Sequence, residues 1–379
     1  MPDPTTARPS RLLLLSVSAG AGHGRAADAL RAAAQARGIE AQHLDVMDYV
    51  PRAFRALYTE FYLRLVEKFP SLWAQLYRIT DETPPDAALA RLRRAIERLN
   101  ARSLRHAIVD FAPDAIVCTH FLPAELLARE QALGRLQCPV HVQVTDFDLH
   151  ALWVVPGLAG YYAASDEVAA RMRVRGLDPA RIHICGIPIM PAFAKVPDRE
   201  TCAAAAGLDP KRPVLLLMGG GAGVGALDEA AAQLLNIEHD FQLVALAGRN
   251  EAMLARLQQL AASHPGRLFP QGFTRTIERL MGCADLAIGK PGGLTTSECL
   301  ALGLPMIVFA PIPGQEERNC DYLLEHGAGL KAVDATALVY RVRALLGDPA
   351  RLARLRDSAH RLGRPHAASD VLDRVFGNG

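Results

Sequence analysis

Short apolar runs bounded by glycine or polar residues alternate along this chain with longer stretches rich in alanine, leucine and arginine. Runs that short and that continuously apolar read as strands buried on both faces, and the stretches between them as covering helices. The pattern therefore predicts βαβ units and parallel sheets. Strands are expected at 12–17, 41–46, 115–118, 140–144 and 160–163, then at 214–218, 242–247, 268–270, 286–288 and 306–309. Each half carries enough of them for its own doubly wound sheet. Between the halves lies GIPIMPAFAKVPDRE, where Pro188, Pro191 and Pro197 suppress helix and ladder bonding alike, so it reads as a linker. The expectation is an α/β chain of two doubly wound, Rossmann-like domains, 1–190 and 191–379, facing a central cleft. The last helix is free in this reading to pack back on the first domain.

Composition narrows the function classes. Forty-two basic and forty acidic residues leave a formal charge of +2, so no global field for nucleic acid is present and no such partner is expected. Near the start the longest apolar run is Leu12 to Leu15, too short for a membrane span or a signal core. The seven cysteines are scattered and include no C-x-x-C pair, which suggests neither a zinc ribbon nor a disulfide framework. A cytoplasmic protein with buried thiols is expected.

One stretch departs from the α/β rhythm. Between Tyr49 and Thr80, Phe54, Tyr58, Phe61 and Tyr62 fall at helical spacing, followed by Trp73, with Arg52, Arg55, Arg64 and Lys68 interleaved. Such a segment either packs on the sheet or lies at a lipid interface, and a helical hairpin can do both.

Three glycine-rich segments carry the candidate chemistry. After the first strand comes SAGAGHGRAADAL, in which Gly20, Gly22 and Gly24 allow tight turns and a helix is expected from Arg25. Amides at such a helix start suit an anion, although neither G-x-x-x-x-G-K-[ST] nor G-x-G-x-x-G is matched. His23, at the tip of this loop, is a candidate general base. The counterpart in the second half, PVLLLMGGGAGVGAL, places Gly219 and Gly220 directly after a strand and is a weak signal alone.

The most informative segment is LAIGKPGGLTTSECLALGLPMIVFAPIPGQEERNCDYL. A strand ends at Ile288, a glycine-proline-glycine turn follows, and Thr295 or Thr296 is expected to cap a helix through Ser297 and Glu298. The turn amides and the helix dipole can cradle a diphosphate. Glu298 either accepts ribose hydroxyls or only completes a capping box, and Gln315, Glu316 and Asn319 can bond sugar hydroxyls. Asp146-Phe147-Asp148, with His141 and His150 nearby, is a D-x-D triplet of the kind metal-dependent transferases use; three residues do not establish a metal site.

SAGAGHGRAADAL, VTDFDLHALWV, GIPI and GKPGGLTTSECLALGLPMIV…PIPGQEERN together resemble the monogalactosyldiacylglycerol synthase and processive diacylglycerol glucosyltransferase family of GT-B glycosyltransferases. They are more distantly similar to the bacterial enzyme that adds N-acetylglucosamine to the cell-wall lipid intermediate. The resemblance implies transfer of a hexose from a UDP-sugar to diacylglycerol with inversion, by a peripheral protein on the inner face of the cell membrane. It implies no obligatory metal or other cofactor. It makes His23 the catalytic base, alone or with Asp146, or an acceptor-site residue, and assigns the diphosphate to Gly292, Gly293, Leu294 and Thr295. Glu298 would take the ribose, Gln315 and Glu316 the sugar, and Gly248, Arg249 and Phe273 the uracil and phosphates. Arg249 or Lys290 would offset charge on the leaving group, and the aromatic stretch would meet the membrane. Transfer of N-acetylglucosamine to a polyprenyl-linked acceptor and UDP-sugar 2-epimerisation stay open as alternatives.

Overall fold

The computed structural model describes residues 10–18, 20–50, 55, 75, 102–219, 227–312 and 314–377. Gly220 and the aromatic candidates Phe54, Tyr58, Phe61, Tyr62 and Trp73 lie outside the described residues. The chain divides into two compact units, Met1–Pro191 with His366–Gly379, and Ala192–Pro365.

In the first unit, strands β1 (Arg11–Ser16), β2 (Glu40–Asp45), β3 (Ala115–Cys118), β4 (Val140–Gln143), β5 (Gly160–Ala163) and β6 (Ile182–Ile184) form one sheet in the order β2-β1-β3-β4-β5-β6. Every pairing is parallel. Helices α1 (Ala21–Ala36), α2 (Arg102–Phe111), α3 (Phe121–Ala132) and α4 (Asp166–Val174) connect or flank the strands. The strand RLLLLS is apolar because helices cover both sides of it, and Leu12 through Leu15 are fully buried. One face is sealed by the C-terminal helix Ala367–Phe376, whose Ala368, Val371 and Leu372 join Leu12, Leu14, Leu30 and Tyr162 in one apolar cluster. An Arg37–Asp373 ion pair at 2.6 Å fastens that helix to the end of α1.

The second unit repeats the plan. Its strands are β7 (Val214–Met218), β8 (Gln242–Gly248), β9 (Leu268–Gly272), β10 (Leu286–Gly289), β11 (Met306–Phe309) and β12 (Gly329–Ala332), in the order β12-β11-β10-β7-β8-β9 and again all parallel. Helices α5 (Arg199–Ala205), α6 (Leu227–Leu235), α7 (Glu251–Ala262), α8 (Ile277–Cys283), α9 (Gly293–Ala301), α10 (Gln315–Glu325), α11 (Ala335–Leu346) and α12 (Pro349–Leu362) surround it. Several begin where a short polar side chain accepts an orphan amide, as Asp198, Asn250, Asp334 and Asp348 do. Asp285 braces the sheet's amino end by accepting from Arg199, Arg356 and the Val214 amide.

Each sheet reverses its direction of growth beside its first strand. In the first unit the chain leaves β1 for β2 on one side and returns as β3 on the other; in the second, β7 and β10 make the same reversal. Helices depart in opposite directions there, so a crevice opens beyond the carboxyl ends of the two strands. The ten expected strands are present, and among the described residues two more were missed. Ile182–Ile184 and Gly329–Ala332 are short edge strands whose His183 and Lys331 break the apolar pattern.

Truncating Leu372 to alanine removes apolar surface from beneath the C-terminal helix. Urea unfolding should then report a loss of about 3 kcal/mol; a change below about 0.5 kcal/mol would mean that the helix does not seal this core.

Candidate active site

At the first unit's switch point, β1 runs through Ser16 into a short turn at Gly20, whose φ of 96° suits glycine. The helix then starts at Ala21, four residues earlier than the glycine content suggested. Gly22 and Gly24 are helical, and His23 stands in the first turn of α1 rather than in a loop. Tertiary bonds overrule the poor propensity of glycine here. Thr119, directly after β3, donates its hydroxyl to the His23 carbonyl at 2.9 Å, and its own carbonyl lies 2.9 Å from His23 Nδ1.

Those two contacts set the chemistry of the ring. A carbonyl oxygen only accepts, so Nδ1 carries the proton and donates it to Thr119, which leaves the lone pair on Nε2. Thr145, just beyond β4, brings its hydroxyl oxygen to 2.9 Å from the same Nδ1. His120 presents its ring edge-on at 4.6 Å, and Trp153 is tilted at 6.1 Å. Burial lowers the His23 pKa from its ordinary 6.5, opposed by the negative charge of Asp146 and by the Thr119 carbonyl. His120 is pushed further down, by burial first and by His23 second. Its Nδ1 accepts the Leu122 amide at 3.0 Å, which caps α3 and places its proton on Nε2. At neutral pH the cluster therefore holds two uncharged imidazoles beside buried Asp146, and the lone pair of the His23 ring is on Nε2.

The other part of the D-x-D triplet does different work. Asp148 is buried and pairs with Arg171 of α4 at 3.2 Å, while His150 Nδ1 accepts the Leu152 amide at 3.2 Å. His141 bonds the Tyr162 hydroxyl at 3.0 Å inside the sheet, and burial lowers its pKa to about 4. Among the described residues no cluster of three or more His, Cys, Asp or Glu side chains could hold a metal ion.

A second polar chain lies under the same turn. Ser16 Oγ is 2.7 Å from His43 Nε2, and His43 Nδ1 is 3.2 Å from Asp28 of α1. The residue types are those of a hydrolytic triad, but Ser16 is the last residue of β1 and its hydroxyl lies against His43 of the neighbouring strand. With Asp45 accepting the Ser18 amide at 3.2 Å, this chain braces the turn that carries His23.

At the second unit's switch point the strands approach closely. A Cβ on Gly289 would come within 2.7 Å of the Met218 carbonyl, so the end of β10 accepts only glycine against β7. Gly219 follows β7, and half-buried Lys290 follows β10. Helix α9 is capped by Gly292 with no side-chain hydrogen bond, which corrects the expected cap at Thr295 or Thr296. The helix starts at Gly293 because backbone packing at the switch point, not a hydroxyl, ends the turn. Thr296 and Glu298 thereby fall inside the buried part of α9, with Glu298 1% exposed.

Helix α10 starts beside this turn. Glu316 accepts the Ile312 amide at 2.6 Å, and its other oxygen lies 4.0 Å from where a Cβ on Gly292 would sit. Glu317 holds the Gly314 amide at 3.1 Å, Gln315 opens the helix, and Asn319 is buried one turn on. Beyond β8 and β9, Arg249 places its guanidinium 4.6 Å from the centre of the exposed Phe273 ring, next to Gly248. The sequence candidates thus gather at strand carboxyl ends in each unit. Thr119, His120, Thr145 and Trp153 were not anticipated; the signal was a polar Thr-His pair placed after a strand as His23 is.

Two Rossmann-like units, each with its polar cluster at a switch point, define a GT-B fold. MurG of Acinetobacter baumannii shares it, with a TM-score of 0.64 over 97% of this chain and 100% of that one at 18% identity. Residues 23–189 match the family model described as monogalactosyldiacylglycerol (MGDG) synthase, and residues 214–370 match the glycosyltransferase family 28 C-terminal domain. The chain is 30% identical to a probable monogalactosyldiacylglycerol synthase 2, chloroplastic, of Oryza sativa subsp. indica, over 97% of its length and 80% of that protein's. It is 27% identical to the processive diacylglycerol beta-glucosyltransferase of Bacillus pumilus, over 96% and 94%. The chain belongs to the family of monogalactosyldiacylglycerol synthases and processive diacylglycerol glucosyltransferases.

Since the folded protein resists protonating His23, the ring's contribution to stability is present above 6.5 and lost as the pH falls below it. An NMR titration following the His23 ring should give a midpoint below 6.5. A midpoint at or above that value would show that Asp146 outweighs burial.

Proposed function

We propose that this protein transfers a hexose from a UDP-sugar to the free hydroxyl of diacylglycerol, with inversion, to give a β-glycoside. The observation that carries this reading is the His23 ring, whose Nδ1 is committed to the Thr119 carbonyl at 2.9 Å so that Nε2 is the basic nitrogen. Family membership supplies the donor and acceptor classes. The first unit takes the acceptor and the second the UDP-sugar.

The acceptor hydroxyl gives its proton to His23 Nε2 as its oxygen bonds the anomeric carbon. The bond from that carbon to the diphosphate oxygen breaks, and UDP leaves with the electron pair. Asp146, beside the ring, stabilises the imidazolium as it forms. The growing charge on the diphosphate is met by amides of Gly292, Gly293, Leu294 and Thr295, by the start of α9, and by Arg249 or Lys290. Gly219 and Gly248 let the donor approach the backbone, Phe273 stacks on the uracil, and Glu298 takes the ribose. Gln315, Glu316 and Asn319 hold the sugar. No step calls on a divalent metal. Among the described residues no helix is long and apolar enough to cross a membrane, and the lipid acceptor is proposed to be reached by surface contact. The aromatic segment around Phe54, Tyr58, Phe61, Tyr62 and Trp73 is assigned to that contact on its sequence, at the inner face of the cell membrane.

Two variants separate chemistry from donor binding, assayed in excess chelator with UDP-hexose and dispersed diacylglycerol. His23→Ala should lower kcat by at least about a hundredfold while UDP binding by calorimetry is unchanged. Glu298→Ala should instead weaken UDP about tenfold or more. Unchanged turnover in His23→Ala, or abolition of wild-type activity by the chelator, would refute this reading.

A further inference from the structure

We infer that Thr145 is a positioning residue that, with the Thr119 carbonyl, clamps Nδ1–H of His23 and holds the imidazole ready to take the acceptor proton at Nε2. The inference rests on His23 being the base. Its geometry is a single ring nitrogen with two oxygens, Thr119 O and Thr145 Oγ1, each at 2.9 Å.

Only one protonation pattern suits both partners. If Nδ1 were bare, the Thr145 hydroxyl could donate to it, but the Thr119 carbonyl would face a lone pair at hydrogen-bond distance. With the proton on Nδ1, both oxygens accept it in a three-centre bond and no repulsion remains. Thr119 and Thr145 are both buried. Each comes from a different strand end, β3 and β4, and two anchors fix the ring's rotation better than one.

The clamp also affects basicity. When Nε2 takes the acceptor's proton, the positive charge spreads to Nδ1–H, and hydrogen bonds to a charged donor are roughly twice as strong as neutral ones. Thr145 therefore stabilises the imidazolium more than the imidazole and makes His23 a stronger base. The titratable groups beside the ring are Asp146 after β4, which acts in the same direction, and His120 after β3, which burial and His23 itself keep neutral. Trp153 closes a further side without charge.

Thr145→Val keeps the shape and removes the acceptor. In the full chain, with UDP-hexose and diacylglycerol, kcat should fall about tenfold with the donor KM unchanged, since one charge-assisted bond is lost. The acid limb of the pH profile should move to lower pH, because the imidazolium has lost a partner. Thr145→Ser should restore both. In the wild-type chain, ring-nitrogen NMR with His23→Gln as the assignment control should show the proton on Nδ1, a readout independent of how the valine variant folds. Wild-type kcat and pH profile in Thr145→Val, or a wild-type ring protonated on Nε2, would overturn the inference. Wild-type turnover in His23→Ala would instead remove the base assignment beneath it, so the two failures are told apart.

Discussion

A hydrogen bond of 2.9 Å between His23 Nδ1 and the Thr119 carbonyl is the interaction on which the chemistry of the first unit depends. It exists because a doubly wound sheet must reverse beside its first strand. β1 and β3 are neighbours, and the turns that leave them diverge, so one delivers a helix start and the other a free carbonyl to the same crevice. The topology fixes the meeting of these two residues, and the carbonyl then fixes the tautomer. Everything else around the ring refines that result: burial keeps it neutral, Asp146 and Thr145 favour its protonated form, and the Ser16–His43–Asp28 chain holds the turn beneath it.

The same constraint operates in the second unit. There the reversal lies between β7 and β10, and the close approach of Gly289 to the Met218 carbonyl leaves no room for a side chain. What the switch point presents is backbone: the Gly292 turn and the first amides of α9. Amides and a helix dipole suit an anion, whereas a buried imidazole suits a hydroxyl. One architecture used twice presents a hydrogen-bonded imidazole in one unit and the backbone amides of a helix start in the other.

Much of this was legible in the sequence, for physical reasons that differ by element. Central strands such as RLLLLS and VLLLM are buried on both faces and cannot avoid being apolar, so their positions follow directly. Edge strands are covered on one side and tolerate His183 or Lys331, which hid them. Local rules misplaced two helix starts. Gly22 and Gly24 argued for a loop where Thr119 pins a helix, and Thr295 argued for a hydroxyl cap where the turn ends at Gly292. His23 itself stood out by its place after the first strand. Its partners did not, since Thr119 and Thr145 lie 96 and 122 residues away and only the sheet order brings them near.

The identity and stereochemistry of the product test the central claim most directly. The purified chain would be incubated with UDP-glucose or UDP-galactose and diacylglycerol vesicles, and the glycolipid's anomeric proton coupling measured by NMR. Direct attack assisted by His23 predicts a β-linked hexosyl-diacylglycerol formed one for one with UDP. An α-linked product, or conversion of the UDP-sugar to its epimer with no glycolipid formed, would contradict it.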